Sequence, residues 1–299
     1  MIILNFLLYY LVIIPISLLP FPVLYKISDL LYYLFYYIIG YRKKVVLQNI
    51  QQSFPEKTSA EHIAICKKFY RHFCDLILES LKVFTISEKE VRQRMVFKNP
   101  EFLNAYFHQN RSIILAGGHY NNWELFAVAV DAPMLHKAIA IYKPLSNPFF
   151  DAKMRATRGK YGLRMISTKV VGQVFEEEKK NLTATIFGID QSPSHLAKSY
   201  WMNFLHQDTA VLFGTEKYAK EYNYPVVFGH INKVKRGHYS FEFFSVCDEP
   251  QKTSYGEITA SITHLLEKDI IQQPEFWLWS HKRWKHKRPC TLDTPALVQ

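Results

Sequence analysis

The chain of 299 residues lacks most of the signatures that announce a chemistry directly. Its four cysteines, Cys66, Cys74, Cys247 and Cys290, show neither Cys-x-x-Cys spacing nor a ligand cluster, so no metal site is expected. A cytoplasmic body would keep them reduced, and no role is assigned to them. Neither Gly-x-Ser-x-Gly nor a comparable cysteine signature occurs, which argues against a covalent serine or cysteine nucleophile. RNP-type and OB-type patterns are missing as well, although aromatics interleave with basic residues near the carboxyl end. There is no internal repeat, no linker of low complexity and no convincing second-domain boundary.

Charge is scarce at the start. Residues 1–41 carry only Lys26 and Asp29. The fourteen residues before Pro15 would make a helix of about 21 Å, short of the roughly 30 Å hydrocarbon core. Including residues 15–22 reaches that length, with Pro15, Pro20 and Pro22 kinking or ending the helix. The run has no basic n-region and no small-residue cleavage site, so a cleaved signal peptide is disfavoured against a membrane anchor with a transmembrane helix. Residues 23–41 bring Tyr25, Tyr32, Tyr33, Phe35, Tyr36 and Tyr37, which suit a headgroup boundary or a protein-packed helix. A buried core hairpin is the other reading of the run. Arg42, Lys43 and Lys44 follow at once, and the positive-inside rule places the remaining chain in the cytoplasm. The expected division is an anchor and interfacial segment over 1–41 and one catalytic domain over 42–299.

The whole chain carries 37 Lys and Arg against 26 Asp and Glu, a formal net charge of +11, which favours an anionic partner: nucleic acid, anionic headgroups or a phosphorylated substrate. Over residues 58–85, Ile63, Cys66, Phe69, Tyr70, Phe73, Ile77 and Leu81 recur at helical spacing, with Thr58 or Ser59 as cap. Short β-like runs then alternate with helices: SIILA, helix 121–131, KAIAIY, helix 148–160, LRMIS, helix 170–180, LTATIFGI, and later YPVVFGHI and HYSFEFFSV, the last pair as a possible hairpin. A final helix spans about 255–273. The expectation is an α/β fold with a mixed sheet flanked by helices.

A histidine followed five residues later by a carboxylate is expected about once by chance in this composition. It occurs twice, as His119–Glu124 and His264–Asp269. Five residues of α-helix turn about 500°, leaving such a pair about 140° apart, so the two cannot meet on one regular helix. His264 lies within continuous helix, and that match is accidental. His119 follows a strand and Gly117–Gly118, ahead of a helix starting near Asn121. There it escapes the helical phase, and a glutamate of the first turn can reach it. A histidine held by a carboxylate is a general base, with helix amides nearby for negative charge; the plainer reading is a histidine capping a turn.

At GGHYNNWE the chain resembles the late (secondary) acyltransferases of lipid A biosynthesis, within the lysophospholipid acyltransferase superfamily. The resemblance extends to YKPLSNPFFD at 142–151, RATRGKYG at 155–162, IDQSP with Asp190 and Gln191, and FWLWSHKRWK at 276–285, and with the hydrophobic start it covers nearly the whole chain. It implies an acyltransferase-type fold with catalytic His119 and Glu124, and transfer of a fatty acyl chain from acyl carrier protein, or acyl-CoA, to a hydroxyl of a lipid A precursor. No further cofactor is implied. It also places substrate-binding roles at Asn122, Arg155, Arg158, Asp190, Thr209 and Gly214, with Arg158 on phosphate or oxyanion. Two departures stand out: Gln-Ser-Pro after Asp190, and WMNFLHQDTAVLFGTE in place of the usual Phe-Phe-Gly-x-x-Ala run. Trp277, Trp279 and Trp284, interleaved with Lys282, Arg283, Lys285, Lys287 and Arg288, suit a membrane surface, with a solvated basic tail as the alternative. Localisation at a bacterial inner membrane, catalytic domain on the cytoplasmic face, follows. Competing readings are the same mechanism on an amino-acid lipid or lysophospholipid, a non-catalytic tethered binding protein, and, on charge alone, a nucleic-acid binder.

Overall fold

A computed structural model describes residues 2–289, so Cys290 lies outside the described residues. Its strands are β1 (Met95–Phe97), β2 (Ile113–Gly117), β3 (Lys137–Tyr142), β4 (Arg164–Ser167), β5 (Thr183–Gly188), β6 (Ser199–Phe204), β7 (Gln207–Leu212), β8 (Val226–Lys235) and β9 (His238–Cys247). Its α-helices are α1 (Ile2–Leu7), α2 (Ile14–Leu18), α3 (Phe21–Tyr33), α4 (Lys43–Ser53), α5 (Ser59–Lys82), α6 (Glu88–Arg94), α7 (Asn104–His108), α8 (Trp123–Ala129), α9 (Pro148–Arg158), α10 (Val171–Glu177), α11 (Gly214–Tyr222) and α12 (Glu257–Gln272).

Seven strands form a mixed sheet in the order β1-β9-β8-β2-β5-β3-β4. Every neighbour pair is parallel except the expected β8–β9 hairpin. Side chains alternate across it. Ile114, Ala116 and Ile139 join one core with α10, α11 and α12. Ile113, Leu115 and Ala138 join a second core under α6 and α8. The sequence reading missed the short edge strand β1, the separate β6–β7 hairpin inside WMNFLHQDTAVLFGTE, and α11 behind it. That hairpin carries no Gly or Asn turn dipeptide; Leu205 and His206 supply the left-handed backbone instead.

Helix α5 starts as expected, with a capping box: Oγ1 of Thr58 accepts the Glu61 N–H at 3.4 Å and the Glu61 carboxylate accepts the Thr58 N–H at 2.8 Å. Its buried face differs from the apolar stripe. Ile63 is exposed, whereas His62, His72, Asp75, Glu79 and Lys82 are buried. Helix α5 runs between the amino-terminal helices and the body and carries polar contacts to both, which hydrophobic periodicity does not register.

The amino-terminal segment is a bent pair, Ile3–Leu18 and Phe21–Ile39, meeting at 116°; among the described residues no single helix is long and apolar enough to cross a membrane. Residues Leu24, Ser28, Tyr32 and Tyr36 of its second arm are buried in the protein, while Leu30, Tyr33, Tyr37 and Ile38 face outward. The first arm exposes Ile3, Leu4, Phe6 and Leu11.

The carboxyl-terminal tryptophans correct the surface expectation. Trp277 and Trp279 are fully buried, with ring centroids 4.7 Å apart edge to face, and Arg283 is buried beside them. The indole of Trp279 donates to the Pro274 carbonyl at 2.6 Å, and Asn49 of α4 donates to the Trp279 carbonyl at 2.9 Å. Trp284 donates to Thr209 Oγ1 at 2.8 Å. Lys282, Lys285, Lys287 and Arg288 remain exposed. The Trp-x-Trp run is therefore a plug between α4, the end of α12 and the sheet. Replacing Trp279 with Ala is expected to cost about 3–5 kcal/mol of stability, read as a fall in the denaturant midpoint at unchanged slope.

Candidate active site

Strand β2 runs at its carboxyl end into Gly117–Gly118. A Cβ at Gly118 would lie 2.7 Å from both methyls of Leu266, so the close approach of α12 sets this position. The left-handed turn falls later than the glycines, at Asn121 with φ 54°, whose amide donates to the Ile231 carbonyl at 2.6 Å. Asn122 then caps α8: its Oδ1 accepts the Leu125 N–H at 2.8 Å, and its Nδ2 donates to Glu79 at 2.6 Å. His119 consequently sits on the loop, outside the helical phase. Its ring packs edge-on against Trp123 at 5.1 Å and rests over Gly188, where a Cβ would come within 3.2 Å.

The carboxylate that holds His119 is not that of Glu124. Nδ1 lies 2.6 Å from Asp190 Oδ1, and the His119 backbone N–H donates to Asp190 Oδ2 at 2.9 Å. The same Oδ2 accepts the Trp277 indole N–H at 2.8 Å. Asp190 follows β5, whose Gly188 pairs with Gly117, so the parallel register brings the two strand ends together. Glu124 points instead toward α9 and receives Arg158 Nε at 2.9 Å and Nη2 at 2.6 Å. A planar guanidinium offers two parallel charge-assisted donors, and the carboxylate takes both.

Charge and burial oppose each other at this centre. Burial disfavours the His119 cation, but the Asp190 charge and hydrogen bond, assisted by Glu124, outweigh it and raise His119 above the ordinary histidine value; Arg158 pulls the other way. Burial likewise disfavours the Asp190 anion, yet His119 and the Trp277 indole hold it well below the usual carboxylate range. With Nδ1–H donated to Asp190, Nε2 carries the lone pair, and the Gln191 side-chain amide donates to it at 3.2 Å.

His119 opens on a cavity of about 1150 Å³ that curls around the carboxyl ends of β2, β3 and β5. Because strand side chains alternate, it has walls from both sheet faces. One arm is lined by Leu115, Phe126, Ala140, Met165, Ile186 and Phe241, beneath α8. The other is lined by Ile141, Val171, Phe187 and Tyr218, beside α10 and α11. Lys143, Arg155, Arg158, Lys198 and Lys217 also line the cavity.

Of the remaining expected site residues, Gly214 lines the cavity at the start of α11. Arg155 also lines it and pairs with Asp151 at 3.2 Å. Two do not line the cavity. The Asn122 amide is consumed by the α8 cap and Glu79, and Thr209 is buried between the Gln207 carbonyl and the Trp284 indole. In both, local hydrogen bonding has taken the polar atoms the role required. His264 and Asp269 do not meet: His264 contacts Glu267 at 3.0 Å and Asp269 contacts His230 at 2.6 Å. Trp277 and Glu79 were absent from the expected site. The fixed Trp-x-Trp spacing was a usable signal for the first; nothing in the pattern marked Glu79.

Comparison with known proteins supplies the family. The family model described as bacterial lipid A biosynthesis acyltransferase matches residues 2–286. The lipid A biosynthesis palmitoleoyltransferase of Escherichia coli K12 is 22% identical over 271 residues, spanning 89% of this chain and 86% of that protein. The lipid A biosynthesis acyltransferase of Haemophilus influenzae is 22% identical over 283 residues, spanning 93% and 89%. The lipid A biosynthesis lauroyltransferase of Escherichia coli K12 is 22% identical over 271 residues, spanning 89% and 87%. With nearly its full length matched, this chain belongs to the bacterial lipid A biosynthesis acyltransferase family and is an acyltransferase.

Proposed function

We propose that this protein transfers a fatty acyl chain from acyl carrier protein, or acyl-CoA, to a hydroxyl of a lipid A precursor. Beyond family membership, the observation that carries the reading is a histidine with one nitrogen tied to a buried carboxylate, lining a large cavity that has apolar walls and several basic side chains. In this reading His119 Nε2 takes the proton of the acceptor hydroxyl as its oxygen attacks the thioester carbonyl. The tetrahedral intermediate then collapses with cleavage of the C–S bond, and the imidazolium returns the proton to the leaving thiolate. No acyl-enzyme forms. Asp190 fixes the tautomer and supports the imidazolium. Glu124 keeps its place as the carboxylate that orients Arg158, whose Nη1 has no hydrogen-bond partner among the described residues and is assigned to the developing oxyanion.

The membrane enters through the first arm of the amino-terminal helix pair. Its Tyr9 packs on Phe149 of α9 at 5.7 Å, and α9 also supplies Met154, Arg155 and Arg158 to the cavity. An outward apolar face therefore adjoins the cavity wall, so a lipid acceptor need not leave the bilayer surface to reach His119. Anchoring over residues 1–41 at a bacterial inner membrane, with residues 42–299 on the cytoplasmic face after Arg42, Lys43 and Lys44, belongs to the same reading. Lys143, Lys198 and Lys217 have no ion-pair partner among the described residues and suit an acidic carrier or a phosphorylated headgroup.

Mass analysis of membrane lipids with and without the protein should show one acyl chain gained on lipid A, and His119→Ala should cut transfer by roughly 10²–10⁴-fold. Gain only on an amino-acid lipid or lysophospholipid would move the acceptor; transfer by His119→Ala at the native rate would remove the base. Because the base must be neutral and its folded pKa is raised, kcat/KM should climb with pH through an inflection above about 6.5. Asp190→Asn should move that inflection down while lowering kcat, since the charge that opposes burial is gone. Filling the arm beneath α8 by Ala140→Phe should shorten the longest acyl chain transferred, with the rate on short chains retained.

A further inference from the structure

Glu79 on α5 is buried, does not line the cavity at His119 and has no step in the mechanism above, yet three donors from separate elements converge on it. Its Oε2 accepts Asn122 Nδ2 at 2.6 Å and the Tyr239 hydroxyl of β9 at 2.7 Å. Its Oε1 accepts the Tyr25 hydroxyl of α3 at 2.9 Å. A buried carboxylate is costly unless its lone pairs are satisfied, and an apolar residue would fill the same space at lower cost. What a carboxylate adds is direction. Asn122 can cap α8 through Oδ1 only while its NH₂ points into the body, and Glu79 is the acceptor that selects this orientation.

The first turn of α8 sets two parts of the site at once. Trp123 packs edge-on against the His119 ring, and Glu124 grips Arg158. On its other side Glu79 belongs to a ladder of polar contacts joining α5 and the loop after it to the amino-terminal helices. Asp75 accepts the Ser28 hydroxyl at 2.7 Å, Lys82 donates to the Leu19 carbonyl at 3.0 Å, and Thr85 donates to the Ser17 carbonyl at 2.6 Å. These contacts seat the helix pair in a definite register on α5, which apolar anchoring alone does not require.

We propose that Glu79 is a positioning residue that fixes the catalytic turn through Asn122 and, through Tyr25, couples that turn to the seating of the amino-terminal helix pair. The proposal rests on the acyl-transfer reading for its kinetic readout. The test uses the full chain in lipid–detergent micelles, with acyl carrier protein charged with a labelled fatty acid and a lipid A precursor. Glu79→Gln and Asn122→Asp are each expected to lower kcat about tenfold while leaving the donor KM nearly unchanged. The double variant E79Q/N122D restores a donor–acceptor pair of reversed polarity and an oxygen for the cap, so it should recover most of the lost kcat. Tyr25→Phe, which removes the link to the helix pair and leaves one buried carboxylate oxygen without its donor, should lower the thermal midpoint and also lower kcat per folded molecule about threefold.

Native kcat in Glu79→Gln, or a double variant no better than its parents, would overturn the proposal; native kcat in Tyr25→Phe would overturn the coupling to the helix pair. A lowered thermal midpoint with native kcat per folded molecule would leave Glu79 a stability residue only. If Glu79→Gln does not fold, the double variant and Tyr25→Phe carry the test. Carbethoxylation of His119 by diethyl pyrocarbonate separates this proposal from the function itself. Its rate should change in Glu79→Gln and return in the double variant even if the native protein transfers no acyl group, and an unaltered rate would count against positioning.

Discussion

The site hangs on the pairing of His119 with Asp190. One carboxylate receives the histidine ring, the histidine backbone N–H and the Trp277 indole, and these donors are what allow a charge to persist out of water. The pair is also a clasp, because it joins the ends of β2 and β5 where the parallel register has already set Gly117 against Gly188. The carboxyl-terminal segment is drawn in by the same atoms. Trp277 reaches Asp190, the Asn121 N–H donates to the Phe276 carbonyl at 2.9 Å, and the plug of tryptophans closes the sheet behind the base. Loss of the carboxylate would therefore free a tautomer, a loop and a chain segment together.

The arrangement follows a general property of α/β sheets, in which the crevice lies outside the carboxyl ends of the strands. In this chain the cavity bends over that edge and reaches both faces, so its apolar walls come from two separate cores. The charge of the molecule is distributed to match. Some of the basic residues are tied to carboxylates, as in Arg158 with Glu124, Arg236 with Asp75 and Arg288 with Asp208. Lys143, Lys198 and Lys217 on the cavity lining are left without such partners among the described residues, and there the surplus can act on an anion.

Sequence pattern read the periodic elements well because they bury apolar faces with regular spacing. The strands from SIILA to LTATIFGI, the β8–β9 hairpin, the Thr58 cap and α12 all follow from that regularity. Pattern failed where burial is polar. Asp75 and Glu79 fall outside the apolar stripe expected for α5, and Asn122 was expected as a substrate contact, although the three lie in hydrogen-bond networks that link α5 to its neighbours. The tryptophans were misplaced for a related reason: aromatic residues between lysines look interfacial, but Arg283 turns inward with Trp277 and Trp279 while the lysines stay outside.

Residue order by itself determined that His119 stands outside a helix, because Gly117–Gly118 end a strand immediately before it. It determined as well that the chain opens with an apolar run followed by a basic cluster, and that its motifs belong with lipid A acyltransferases. Which carboxylate holds the histidine was decided only by the tertiary structure. Glu124 is five residues away and Asp190 is seventy-one, but the separation that matters is across the sheet, where parallel pairing sets two strand ends side by side and a guanidinium from α9 claims the nearer acid.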